Sequence, residues 1–560
     1  MEKGNFKLGS LPYDRFTIES FEAEGKNILN KFKEVNSGEE QFTVHRKYYE
    51  LIEKMATTRI LVQLRYDGNV TDKFYEDEQN YYDSIWPRVT AFETEYKKEL
   101  FNTNFRCYLE EKIGKIAFKD IEFDLKSFDE CIISLKQEEN TLISEYNKLL
   151  AEIKIDYEGE KLNLSLLGKY LTNKDRNIRI SATKARSLEL SKIKDKLDDI
   201  YDKMVKNRTE QAKKLGYKDY VELAYYIMGR TTYGIEEVRK FRNQVKKYLV
   251  PFASKLHDER RKRLELENLD SVDEGIYFKE GNPTPIGTAD DIFRAGKKMY
   301  SELSEETNEF FNFMLDHELF DVLGRPNKAG GGYMEMLFTY KAPIIFANFN
   351  GTSGDIDVIT HECGHAFQGF ITRNDEIREH NNIKMETAET HSMSMEFFTE
   401  KWMELFFGNR ADDYRKMHLE DAIAFIPYGC MVDEFQEIVY SKPELTKEER
   451  RQVWKDLEKQ YKPHLKYEND EFQGEGRRWQ LQKHIYMYPF YYIDYCIAQT
   501  CALQFKIKMD ENYEDAWNKY LSFSKESAKD SFQNMLHHIG FKSPFEDGYM
   551  KDLVDRKSTR

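Results

Sequence analysis

Only 12 prolines and 29 glycines interrupt a chain of 560 residues. Together they are about 7% of the sequence, against roughly 12% in average usage. So few breakers exclude a turn-rich architecture and, in a chain rich in Glu, Lys and Leu, leave a mainly α fold. Cysteine pairs at CxxC spacing are also missing. Cys107, Cys131, Cys363, Cys430, Cys496 and Cys501 are scattered, which suits reduced thiols better than a disulfide framework. No run approaches the ~18 apolar residues of a membrane span, and the opening MEKGNFKLGSLPYDRF has no apolar signal core. Positive charge is in deficit, with 85 Lys and Arg against 100 Asp and Glu and a net −15. A net acidic chain is a poor binder of nucleic acid, which demands neutralised phosphates. Its basic run HDERRKRLELEN, residues 257–268, is interleaved with acids and reads as a solvated helix face. A soluble, cytoplasmic protein with neither a nucleic-acid nor a membrane partner is expected, its oligomeric state left open.

What is present is material for burial. Hydrophobic residues make up 40% and aromatics 14%, enough for two or three domains or one large multilobed body. From Thr17 to Ile276 one amphipathic helix follows another, broken by KIDYEGEKLNL, where Glu158-Gly159 predicts a short hairpin. KEGNPTPIGT, residues 279–288, reads as a loop or crossing segment. The least helical stretch follows, in which Gly330, Gly331 and Gly332 precede two strand-like runs, YMEMLFTY and PIIFANF. The second of these is the candidate edge for an added peptide strand. Beyond residue 375 the pattern is helical again. A division into an N-terminal helical lobe, 1–170, and a catalytic region, 171–560, is expected.

The chemistry concentrates in DVITHECGHAFQGF, residues 357–370. On a helix over about 355–370, each residue turns about 100°, so His361 and His365 lie about 40° apart on one face. Both imidazoles then reach one metal ion. Glu362, about 60° from His365, sits where it touches a metal-activated water without ligating. HExxH thus supplies two histidine ligands and a general base. With 12 histidines in the chain, the pattern arises by chance on the order of a few hundredths of a time. Cys363 lies about 200° from His361 and reads as a core residue. Ser353, Asp355 and Asp357 are candidate N-caps.

A catalytic zinc takes a third protein ligand. NNIKMETAETHSMSMEFFTEKW follows as an amphipathic helix bearing Glu386, Glu389 and Glu396, and on spacing alone any of the three fits. His391 points away from Glu389 and reads as a surface or supporting residue. Met393 and Met395 read as core.

HECGH followed 24 residues on by Glu389, and preceded by GGGY and YKAPIIFANFNGTSGDIDVITHE, resembles the oligoendopeptidase F and thimet oligopeptidase family of zinc peptidases. The likeness extends to KKLGYKDYVELA, residues 213–224. It implies a two-lobed helical body with a deep central channel, a small β-sheet next to the zinc-binding helix, and one Zn2+ per chain. His361 and His365 match the histidine ligands, Glu362 the base and Glu389 the third ligand. Glu386 is a rival at thermolysin-like spacing, and Glu396 is read as the carboxylate that holds an imidazole tautomer. The family's late His-Tyr-rich segment is matched by QKHIYMYPFYYIDYCIAQ, residues 482–499. Tyr488 and Tyr495 keep the seven-residue separation of its substrate-binding tyrosines, while His484 stands one residue closer than the thimet pattern.

The expected activity is hydrolysis of internal bonds in short peptides. Glu362 is the base, and Tyr495, Tyr488 and His484 steady the oxyanion. Alternatives are an HExxH carboxypeptidase and a non-catalytic peptide-binding scaffold.

Overall fold

The computed structural model describes residues 6–526 and 528–558. It is 72% helical, in line with the scarcity of breakers, and among the described residues its strands form two small sheets. Two compact units form, and neither is continuous in sequence. The first comprises Met1–Leu125, Thr284–Ala411 and Cys501–Phe541. The second comprises Lys126–Pro283, Asp412–Thr500 and Lys542–Arg560. The units therefore differ from the single division near residue 170. Contacts between segments far apart in sequence decide which residues share a core, and no local pattern encodes them. The crossing between Pro283 and Thr284 does lie in the loop read at 279–288.

In the first unit, helices Ile18–Glu34, Gly38–Gly68 and Lys73–Phe101 begin at Thr17, Ser37 and Asp72. Each cap accepts a hydrogen bond from a first-turn backbone N–H, satisfying a donor that the helix itself leaves open. Phe21, Phe32, Val62, Tyr82 and Tyr96 pack into one core between them. The Gly38–Gly68 helix also sets Ile60, Leu61 and Leu64 against Leu337, Ile344 and Phe346 of a three-stranded sheet.

The second unit holds the expected hairpin, β1 (Ile155–Tyr157) and β2 (Glu160–Leu162). Glu158 and Gly159 both take positive φ, 51° and 80°, the backbone of a tight hairpin turn. The larger sheet, in the first unit, contains β3 (Phe320–Leu323), β4 (Tyr333–Leu337) and β5 (Ala342–Phe349) in the order β3-β5-β4. β3 runs parallel to β5 and β4 antiparallel, with Glu335 opposite Ile344. β5, read from its sequence as an edge, is therefore the central strand. Its run Ala342–Ala347 is buried throughout, as befits a strand covered on both faces. The outer strand facing the peptide-sized space described below is β4.

The six cysteines are free thiols. Among the described residues no helix is long and apolar enough to cross a membrane.

Candidate metal centre and aromatic cluster

The HECGH segment lies on a continuous helical stretch formed by Gly354–Asp357, a wide π turn over Val358–Glu362, and the α-helix Cys363–Thr372. The start matches the sequence reading, and Ser353, one of the three candidate caps, occupies the N-cap position, though its side chain makes no capping hydrogen bond. Asp355 is buried inside the first turn, and its carboxylate accepts from the N–H groups of Asn350 and Gly351 at 2.8 Å each. It folds the preceding loop back rather than capping the helix. The π turn was not legible. Two side chains draw on helix carbonyls here: Tyr300 donates to the Ile359 carbonyl at 2.7 Å, and Thr360 to that of Ile356 at 3.0 Å. Tyr300 is fully buried on the Ala289–Leu303 helix. Tyr300→Phe would leave that carbonyl short of a partner and is expected to cost about 1–2 kcal/mol. A lowered thermal midpoint is the readout, and an unchanged one would show the π turn to be self-sufficient.

Across from this helix runs Met385–Phe398, and what brings the two together is Gly364. A Cβ there would lie 2.6 Å from Ser392 Cα and 3.0 Å from the His391 carbonyl, so only a glycine permits the approach. At this closeness, His361, His365 and Glu389 place one ligand atom each within 4.8 Å of one another. Glu389 Oε2 is 3.5 Å from Nε2 of both histidines. Four donors held 2.0–2.1 Å from a tetrahedral ion stand about 3.3 Å apart, so the spacing fits a small divalent cation. Glu389 is buried, and Ser392 donates to its Oε2 at 3.1 Å. Burial alone would raise its pKa, but His365 and His361 outweigh that and hold it well below the usual carboxylate range. For His361 burial acts to lower the pKa, and Glu389 and Glu396 together lift it well above the ordinary value. Two imidazoles and a buried carboxylate converging in this way favour positive charge at their centre.

Glu396 Oε1 lies 2.6 Å from His361 Nδ1. An ionised carboxylate only accepts, so Nδ1 carries the proton and Nε2 is turned toward His365 and Glu389. Glu386 is buried one turn before Glu389 but is not among the three clustered donors. Cys363 is buried, as expected, and burial pushes its thiol pKa up. Met393 and Met395 are core residues. His391, read as a surface or supporting residue, is fully enclosed. Burial, followed by the neighbouring His365, lowers its pKa to about 3.

A cavity of about 520 Å³ adjoins this centre within the first unit. Met334 and Met336 of β4 line one side, and His365 and Gly369 of the HECGH helix, with Arg373 just past its end, another. Alternation along β4 explains the choice, because Leu337 turns to the opposite face and packs against the Gly38–Gly68 helix.

His484, Tyr488 and Tyr495 lie together in the second unit. Their segment is not one helix. A short helix, Lys483–Met487, ends at Tyr488, and a long one begins at Tyr492. Between them Phe490 takes a φ of 66°, a conformation costly for a bulky residue unless its surroundings impose it. Gln436 accepts the Phe490 N–H at 3.1 Å. Buried Arg230 donates to the Phe490 carbonyl and, at 2.9 Å, to Asp494. Buried Arg208 similarly ties the Tyr486 carbonyl to Glu139 and Tyr440. The ring of His484 is 5.8 Å from that of Tyr495 and 6.4 Å from that of Tyr488. Tyr491 and Tyr492, which sequence reasoning passed over, are nearer still than Tyr495 at 5.6 and 5.0 Å. Tyr488 is 56% exposed.

Residues 9–128 match the Peptidase M3 N-terminal domain and residues 289–553 match Peptidase family M3. The chain is similar to the solved structure of PZ peptidase A with inhibitor 2, at 43% identity and a TM-score of 0.94, with 98% of each chain covered. It is similar as well to a candidate oligoendopeptidase F solved by X-ray crystallography, at 42% identity and a TM-score of 0.94, covering 99% of this chain and 98% of that one. A further candidate oligoendopeptidase F, from Bacillus anthracis str. Ames, is 41% identical with a TM-score of 0.89, again covering 99% and 98%. No curated protein matches the sequence.

Proposed function

The chain belongs to peptidase family M3, a family of metallopeptidases, and from that premise we propose that it is a zinc-dependent endopeptidase acting on short, unfolded peptides. The observation that carries the proposal is the convergence of His361, His365 and Glu389, with Glu362 directly following the first histidine on the same helix. Two imidazoles and one carboxylate are the donor set zinc prefers in hydrolytic sites. When bound there, the ion supplies a Lewis acid for the scissile carbonyl and an acidified water.

Everything else falls to the chain. Glu362 takes the proton of the attacking water and returns it to the leaving amine. Glu396 holds His361 with Nε2 as the ligating atom. Tyr488, Tyr495 and His484 donate to the oxygen that becomes negative as the carbonyl is attacked, worth about 3 kcal/mol for one well-placed donor. β4 offers main-chain groups to an extended substrate, and the cavity beneath Met334 and Met336 takes one of its side chains.

The test is mass spectrometry on peptides of about ten residues, blocked at both ends, incubated with zinc-loaded protein. An endopeptidase cuts them internally, and removal of the metal by a chelator stops it until zinc is restored. Cleavage of unblocked peptides alone, one residue at a time from the C-terminus, would replace this reading with a carboxypeptidase. Binding without any cleavage would leave a peptide-binding scaffold.

A further inference from the structure

His484 does not stand alone in its unit. Its Nδ1 lies 2.9 Å from the amide nitrogen of Gln482, and the amide oxygen of Gln482 accepts from the Tyr428 hydroxyl at 2.9 Å. The Arg478 guanidinium lies over the Tyr428 ring, 5.0 Å from its centre. Arg478 is itself ion-paired with Glu274, which also pairs with Lys462. All of these residues belong to the second unit.

The direction of the bonds follows from Tyr428, whose hydroxyl donates its one proton to the amide oxygen of Gln482. An amide presents oxygen on one side and nitrogen on the other. With its oxygen committed to Tyr428, Gln482 turns its NH2 group toward His484. A ring nitrogen that receives an N–H carries no proton, so in the neutral ring the proton sits on Nε2.

We propose that Gln482 is a positioning residue that fixes the imidazole of His484 in its Nε2–H tautomer, with Tyr428 setting the direction of the relay. Its consequence is a ring that always presents a proton donor at Nε2, the form an oxyanion requires. A ring protonated at Nδ1 alone would present a lone pair to the same charge and repel it. The assignment of that donor to a substrate oxygen rests on the endopeptidase reading; the tautomer itself does not.

Long-range proton–nitrogen NMR correlation on protein labelled at histidine reads the tautomer directly, with His484→Ala identifying the resonances of this ring. The expected spectrum has a protonated Nε2 and a bare Nδ1. Gln482→Met, close in volume but without the amide, is expected to populate the Nδ1–H form, as is Tyr428→Phe, which frees the amide to turn over. Gln482→Glu, which can only accept, is expected to place a proton on Nδ1. On a blocked peptide, Gln482→Met is expected to lower kcat about tenfold, a part of the roughly 10²–10³ that loss of an oxyanion donor costs. KM should stay within about twofold, and the same substitution should cost nothing further when His484 is already alanine. A wild-type ring protonated at Nδ1 would overturn the proposal. So would an equal loss of kcat from Gln482→Met in both backgrounds. Should the wild-type protein cut no peptide at all, the endopeptidase reading fails while the NMR result still decides the tautomer.

Discussion

Glu362→Gln is expected to bind one zinc ion per chain as the parent protein does and to lose turnover of a blocked peptide by about 10³-fold. The amide matches the carboxylate in size, so the helix and its π turn have no reason to move. The three clustered donors are His361, His365 and Glu389, and none of them is altered. On the proposed mechanism, what disappears is the group that accepts the proton of the attacking water and then delivers it to the leaving amine, so the loss falls on kcat. Glu389→Gln is the contrasting case. It replaces a donor that sits 3.5 Å from both His361 and His365, so metal content itself should fall. Metal analysis after dialysis, set beside the rate on one blocked substrate, separates the two. Turnover of Glu362→Gln within about tenfold of the parent would move the proton transfers to another group.

Gly364→Val should damage the same site from behind. Its Cβ would meet backbone, 2.6 Å from Ser392 Cα and 3.0 Å from the His391 carbonyl, and also Met395 Cβ at 3.1 Å. Backbone cannot swing aside like the end of a long side chain, so the two helices must separate. Glu389 rides on the helix that is pushed away, three residues before Ser392. The donor separations then lengthen beyond what one small ion can span. Zinc affinity is expected to fall by about 10–100-fold, the scale seen when the support of a metal ligand is lost, and overpacking adds about 1–3 kcal/mol of destabilisation. Gly369→Ala on the same helix is the control. Its Cβ would meet only the Met336 sulfur, at an ordinary 3.5 Å, so both metal content and melting temperature should hold. Full zinc retention in Gly364→Val would show that the close approach is not what brings Glu389 to the histidines.

The helical character, the hairpin at Glu158-Gly159 and the HExxH pair were legible because each depends on neighbours a few residues away. Periodicity, turn chemistry and the four-residue spacing of His361 and His365 are local properties, and a chain carries them whatever it folds against. β3 was not legible. Four residues, FDVL, give too short a run to stand out, and its partner is the central strand β5. The same pairing makes β5 central rather than an edge. Within the π turn at Val358–Glu362, the Ile359 carbonyl is bonded by Tyr300, fifty-nine residues away in sequence. The break of the His-Tyr segment at Phe490 depends on Arg230 and Gln436.

The sequence by itself therefore determined a mainly helical chain, two histidines and a glutamate in HExxH spacing on one helix, and three carboxylates on the next as candidates for a third ligand. Resemblance, not spacing, singled out Glu389. Tertiary structure decided the geometry: Glu389 toward both histidines, Glu396 onto His361 Nδ1, and Glu386 outside the cluster. Three residues on one helix differ only by rotation and rise, so their spacing cannot say which of them faces a partner. That depends on how closely and at what angle the two helices cross, and here the crossing is set by a missing side chain at Gly364.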